Sequence, residues 1–149
     1  MKIRPIQEHD VESTLAIQTN CREAAQWTSS DYARAARGEM AGWVAENGSV
    51  IGFLIARRVG DDVEILNLAV NPNIRRAGVG TALLREALEW AERVHAHKAF
   101  LEVRAGNAIA LQFYDRHGFR PTGRRPHYYT APADDALLLT LGLAPDNAG

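Results

Sequence analysis

Apolar and polar positions along the chain alternate with two different periods, and the switch between them marks the elements. Lys2–Ile6 predicts a short opening strand. Asp10 stands before a segment with Val11, Leu15, Ile17 and Cys21 on one side, which predicts an N-capped helix from Val11 to about Ala25. Ser29 or Ser30 caps a second, short helix through Arg37, stopped by Gly38. The period then shortens. Gly42–Glu46, Val50–Arg58 and Val63–Val70 predict a three-stranded meander, turned by Asn47-Gly48 and by Gly60-Asp61. Asn71–Gly80 is a loop into a long helix reaching about His95, on which Leu83, Leu84, Ala87, Leu88, Ala91 and Val94 form one apolar stripe. Lys98–Arg104 predicts another strand. Asn107 caps a helix over Ala108–His117, ended by Gly118, and Phe119–Tyr129 and Asp135–Leu141 predict two final strands. The tail after Leu143 is small and polar and is expected to fray.

Strands first, then strand–helix–strand–helix–strand, imply an α/β (α+β) fold. Its mixed, mostly antiparallel central sheet has about seven strands and is flanked by about four helices. The 149 residues are expected to form a single domain over 1–149. With 46% hydrophobic and 23% charged residues, a disordered or low-complexity chain is excluded. A formal charge of −1 argues against bulk electrostatic binding of nucleic acid or of anionic lipid. Cys21 is the only cysteine, so no internal disulfide forms. The opening residues Met1-Lys2-Ile3-Arg4-Pro5 lack a hydrophobic signal core, and no apolar run approaches the roughly 20 residues that span a bilayer. A cytoplasmic location, with no membrane and no direct nucleic-acid partner, is the expectation.

The most informative stretch is Arg75-Arg76-Ala77-Gly78-Val79-Gly80-Thr81, between a strand and a helix N-terminus. Unbonded backbone amides and the positive end of the helix favour an anion there, and glycines let the backbone approach phosphate oxygens. A plain strand-to-helix turn is the competing explanation. A P-loop would need a Lys that is absent, and a dinucleotide fingerprint would need a glycine where Leu83 stands. The five histidines form no metal set, and no metal is expected.

R-x-x-G-x-G at Arg75–Gly80 resembles the acetyl-CoA loop of the GCN5-related N-acetyltransferases. Asn107, Ala110, Phe113-Tyr114 and Gly118-Phe119 resemble that family's second block, N-x-x-A-x-x-x-Y-x-x-x-G-F, and the order of elements agrees over essentially the whole chain. Asn67-Leu68-Ala69-Val70, Leu101-Glu102-Val103-Arg104 and Arg124-Arg125 with Tyr128-Tyr129 are similar to the RimI subgroup, which acetylates the N-terminal alanine of a small-subunit ribosomal protein. Two departures bear on the acceptor: Gln26-Trp27-Thr28 replaces Pro-Trp-Ser, and Thr130 replaces the proline after the tyrosines.

The resemblance implies an acetyl-CoA-dependent transfer of acetyl to an amine by direct attack, with acetyl-CoA as co-substrate and a protein N-terminal α-amine as acceptor. It implies Glu102 as base and Tyr114 as acid. Strand alternation sets Glu102 opposite Leu101 and Val103, and a phenol is a proton donor at neutral pH. The main chain of Leu68, Ala69 and Val70 would pair with the pantetheine arm. Arg75, Arg76, Ala77, Gly78, Val79, Gly80 and Thr81 would hold the pyrophosphate. Asn107 would bond the arm, cap its helix, or do both. Trp27, Tyr128 and Tyr129 would line the acceptor groove. Arg120, Arg124 and Arg125 either bind the 3′-phosphate or an acidic acceptor, or form a solvated strand face. Asp134, Asp135, Asp62 and Glu46 are all open as readers of the acceptor's second residue. The alternatives are an acetyltransferase for a small-molecule amine and a non-catalytic acyl-CoA sensor.

Overall fold

In the central strands every second side chain is buried, and that alternation assigns each strand's two faces. The computed structural model describes residues 1–21, 24–74 and 78–143. The strands are β1 (Lys2–Pro5), β2 (Ala41–Glu46), β3 (Val50–Val59), β4 (Asp62–Val70), β5 (Lys98–Arg104), β6 (Arg120–Thr130) and β7 (Ala133–Gly142). The helices are α1 (Val11–Thr19), α2 (Ser29–Ala36), α3 (Val79–Arg93) and α4 (Ala108–Arg116). One seven-stranded sheet runs β1-β2-β3-β4-β5-β7-β6, antiparallel throughout except between β4 and β5. This is the expected mixed sheet.

The sheet is packed on both faces. On one, the α3 stripe Val79, Leu83, Leu84, Ala87 and Ala91 meets Leu54, Val63, Ile65 and Leu101, with Tyr114 and Phe119 in the same cluster. On the other, Ile17, Tyr32 and Ala35 cover Val44, Phe53 and Ile55. Among the described residues no helix is long and apolar enough to cross a membrane.

Three expectations at the N-terminal end are corrected. Helix α1 ends at Thr19, well short of Ala25. Thr19 Oγ1 donates to the Leu15 carbonyl and Asn20 Nδ2 to that of Ala16, so side chains satisfy the last carbonyls and the helix stops. Its buried face is Thr14, Ile17 and Gln18, whereas Val11 and Leu15 are only partly covered. Asp10 does not cap α1 through its side chain. Its carboxylate instead takes two Arg4 bonds, 2.8 and 2.9 Å, and the Gln7 amide at 2.8 Å. Thr28, rather than Ser29 or Ser30, caps α2, in a box with Asp31.

Candidate active site

Strand β4 is held along one edge only. Against β3 it is paired from Asp62 to Val70; against β5 only Val63↔Ala99 and Glu64↔Phe100 pair. The divergence coincides with a bulge. Ile55 pairs with Asn67 and Ala56 with Ile65, which leaves Leu66 as the extra residue. Strand β5 continues with β7 as far as Arg104↔Ala136. A slot therefore opens between Leu68–Val70 and the end of β5, with main-chain groups of β4 unclaimed by β5.

A cavity of about 500 Å³ lies at this slot, lined by Leu68, Ala69, Val70, the Gly78–Thr81 turn, Asn107 and Tyr114 among others. Gly78 precedes α3 with φ +79°, a left-handed conformation that glycine adopts without strain. Its carbonyl accepts the first helical bond, from Ala82 N at 3.0 Å. The amides of Val79, Gly80 and Thr81 thus precede the helical ladder, at the positive end of a 15-residue helix. A Cβ on Gly80 would stand 3.3 Å from the Phe113 ring, so α4 closes tightly on this turn. Phe113 also stacks on His117 at 4.7 Å, and His117 Nε2 meets Thr81 Oγ1 at 3.1 Å. Burial, followed by Arg116 and Arg85, pushes the His117 pKa down, which favours neutral imidazole there. Arg75, Arg76 and Ala77 lie outside the described residues.

Asn107 caps α4: its side-chain oxygen accepts from Ala110 N at 3.1 Å. Its –NH₂ takes no part in that bond. Tyr114 is buried between Phe113 and Phe119, at 5.1 and 5.3 Å between ring centres, while still lining the cavity. Burial pushes its phenol well above the ordinary value, so it stays protonated throughout the neutral range. An elongated thioester with a phosphate end fits this chemistry: an open strand edge for amides, an apolar wall, and free helix-start amides for the anion.

Glu102 sits on the opposite face of β5 from Leu101 and Val103, which belong to the Tyr114 cluster. Glu102 and Tyr114 therefore lie on opposite faces of the sheet; Tyr114 lines the cavity and Glu102, on β5 beside the slot, is not among its lining residues. Glu102 is not solitary: Arg125 Nε stands 2.8 Å from its Oε2, a pairing that sequence reasoning missed. Tyr129 is close by. Burial and then the Glu102 charge push its phenol up, and Arg104 lies 4.1 Å over its ring. Tyr128 is half exposed and packs edge-on against Tyr129 at 5.0 Å. Trp27 stands elsewhere, against Tyr32 at 5.3 Å. No ring contact among the described residues joins it to the tyrosine pair.

A buried polar cluster, also missed, fixes the segment carrying Trp27. Gln18 bonds both the Trp27 amide and carbonyl, at 3.0 and 2.9 Å. Asn67 bonds both those of Ala25, at 3.2 Å each. The Tyr32 hydroxyl joins the two, donating to Gln18 Oε1 and accepting from Asn67 Nδ2. The one available signal was Asn67 itself, a polar residue inside the otherwise apolar run Ile65–Val70.

The other charged candidates named from the sequence are engaged. Arg120 pairs with Asp115 at 3.1 Å and Arg124 with Asp135 at 2.7 Å, so neither they nor Arg125 line the cavity. Asp134 accepts from the Gly106 and Asp135 amides, and Asp135 from that of His127. Glu46 belongs to the Arg4 cluster, and Asp62 lies at the far end of β4 beside Lys98. Among the described residues no cluster of three or more His, Cys, Asp or Glu is placed to hold a metal ion.

A split sheet with a glycine-bearing turn at its mouth leaves an open strand edge and an anion site to a group-transferring enzyme's substrate. The sequence model described as "Acetyltransferase (GNAT) family" matches residues 6–119, and the chain belongs to that family of N-acetyltransferases. It is 34% identical over 103 residues to the [ribosomal protein bS18]-alanine N-acetyltransferase of Escherichia coli K12, covering 68% of this chain and 70% of that one. It is 32% identical over 119 residues to an N-alpha-acetyltransferase of Sulfurisphaera tokodaii, covering 70% and 71%. The crystal structure of the ribosomal-protein-S18-alanine N-acetyltransferase from Escherichia coli superposes with a TM-score of 0.82 at 28% identity, over 99% of this chain and 98% of that one.

Proposed function

We propose that this enzyme transfers acetyl from acetyl-CoA to the N-terminal α-amine of a protein. A small-subunit ribosomal protein beginning with alanine is the leading acceptor. The observation that carries the reading is the slot between β4 and β5, whose cavity is lined by the Leu68–Val70 edge, the Gly78–Thr81 turn, Asn107 and the buried Tyr114. In this reading the amides of Gly78–Thr81, with Arg75, Arg76 and Ala77, hold the pyrophosphate. Leu68–Val70 and Asn107 hold the pantetheine arm, and backbone N–H groups polarise the acetyl carbonyl. Glu102 accepts a proton from the acceptor ammonium, directly or through water. The freed nitrogen attacks the carbonyl carbon, the C–N bond forms, the C–S bond breaks, Tyr114 gives its proton to the leaving thiolate, and the second proton of the attacking nitrogen leaves through water to restore the phenol.

The choice of α-amine over lysine also follows from acidity. An α-ammonium with pKa near 8 is about a tenth neutral at pH 7, whereas a lysine leaves under a thousandth neutral. A carboxylate is a weak base and suits the easier of the two protons. The test incubates the protein with acetyl-CoA and peptides that vary the first two residues and carry an internal lysine. Acetyl on the α-amine of Ala-Arg peptides, located by mass spectrometry, is the expected product. Acetyl on lysine, or transfer only to small amines, would sink the reading.

A further inference from the structure

We infer that Arg125 holds Glu102 as a stand-in cation, and that the acceptor ammonium enters by taking its place. This rests on Glu102 acting as the base. Three arginines surround the acceptor side, and they are held differently. Arg124 is bound to Asp135 at 2.7 Å. Arg104 donates to the carbonyls of Pro132 and Ala131, at 2.8 and 3.4 Å, and lies over Tyr129. Arg125 pairs instead with Glu102, at 2.8 Å.

Arg125 is also the arginine best able to let go. It lies on β6, the edge strand, and the β6–β7 register breaks immediately after it. Its side chain is 64% exposed while that of Glu102 is 22% exposed, so the pair is wet on the arginine side. The Tyr128 ring, 5.5 Å from the guanidinium carbon, offers a second resting place for the charge. Glu102 and Arg125 reach each other across β7, diagonally, because Glu102 lies opposite Leu138 and Arg125 opposite Ala136. An amine arriving at Glu102 comes to the position the guanidinium holds.

The exchange trades one cation for another at a single carboxylate. Arg125 keeps its proton; the acceptor ammonium, once paired, gives one proton to Glu102 and becomes the nucleophile. A neutral ligand cannot displace the guanidinium on equal terms. Arg125 therefore screens acceptors for a positive charge at the attacking nitrogen and shields the carboxylate between turnovers.

The test is a four-member set, wild type, R125Q, E102Q and the double variant, with R125K as the conservative control. Kinetics with an Ala-Arg peptide and saturating acetyl-CoA are combined with calorimetric peptide binding. Exposed ion pairs shift such equilibria by about fivefold or less. R125Q is expected to lower the peptide KM roughly threefold to fivefold, with the change carried by KM rather than kcat. R125K should restore the wild-type KM. In the E102Q background, R125Q should no longer alter peptide affinity. An unchanged or raised KM in R125Q, or the same gain in the double variant, overturns the exchange and leaves the base assignment standing. Full kcat in E102Q removes the base and the exchange together.

Discussion

The two edges of β4 carry the same side-chain alternation and have opposite fates. Toward β3 the ladder runs the length of the strand; toward β5 it stops after Glu64. On the β3 side, Arg4 of β1 joins Asp10, just before α1, at 2.8 Å and Glu46 of β2 at 3.1 Å. On the β5 side, cations and tyrosines ring a carboxylate that is part exposed. The closed half of the sheet is organised for stability. The open half leaves main-chain groups and a carboxylate available to substrates, as a transferase needs. Substitutions in one half should then leave the other half's property intact.

The largest effect belongs to the open half. E102Q should lower kcat by roughly 10²- to 10⁴-fold, the usual contribution of a positioned base. Its melting temperature should stay close to wild type, because the carboxylate's partner is an exposed arginine. A large loss of stability with a small loss of rate would place Glu102 in the wrong half.

The reciprocal experiment is D10A. The Asp10 side chain is 2% exposed, and its removal leaves Arg4 only one of its two carboxylates, Glu46, and the Gln7 amide without that acceptor, a change that costs about 1.5–3 kcal/mol. Thermal unfolding should fall by roughly 5–10 °C on the scaling for chains of this size. Turnover per folded molecule should not move. Asp10 also carries an acid-sensitivity. Burial pushes its pKa up, but the Arg4 and Gln7 bonds outweigh this and hold it below its usual 3.8. A depressed carboxylate stabilises the fold above its unfolded pKa, and that contribution is lost as pH falls through the folded value. The acid limb of the stability curve should therefore flatten in D10A, as followed by circular dichroism.

Y114F tests the other face of the sheet. A lost proton donor should reduce kcat about 10²-fold and leave the KM for acetyl-CoA little changed. Because burial raises this phenol above its usual 10.0, wild-type kcat should not fall at the alkaline end below about pH 10 on account of Tyr114. An alkaline fall near pH 9 that disappears in Y114F would contradict a buried acid.

Most strand positions and the α3 stripe were legible in the sequence, because each depends on residues a few places apart. Asn107 as a cap and Gly78 at a strand-to-helix turn were legible for the same reason. What escaped was set by distant partners. Arg4 reaches Asp10 and Glu46, 42 residues further on, and so removes Asp10 from capping. Asn67 reaches back 42 residues to Ala25 and supplies hydrogen bonds that a longer α1 would have made internally. At the site, Glu102 and Tyr114 were legible as candidates through motif spacing. The Arg125 partner was not, since it depends on two strand registers across β7. The extra residue Leu66, which accompanies the split, leaves no mark on an apolar run that reads as continuous strand.

Asn67 lies where the two halves meet, and N67A is the sharpest small test of the comparison. It stands one residue past the bulge, paired to Ile55 on the closed edge and followed directly by Leu68–Val70 on the open one. Its side chain is buried and meets the Ala25 amide and carbonyl and the Tyr32 hydroxyl. Alanine would remove the partner of the Ala25 amide and carbonyl and leave the Tyr32 hydroxyl with Gln18 alone, at a cost of about 1–3 kcal/mol. If the Ala24–Trp27 segment forms part of the acceptor rim, N67A should raise the peptide KM severalfold while the acetyl-CoA KM holds. A conservative N67D would keep acceptors but not the –NH₂ that binds both the Ala25 carbonyl and Tyr32, and should recover only part of the loss. A rise in the acetyl-CoA KM instead would mean that Asn67 sets the geometry of the β4 edge. The boundary between the halves would then fall on the bulge rather than on the loop it anchors.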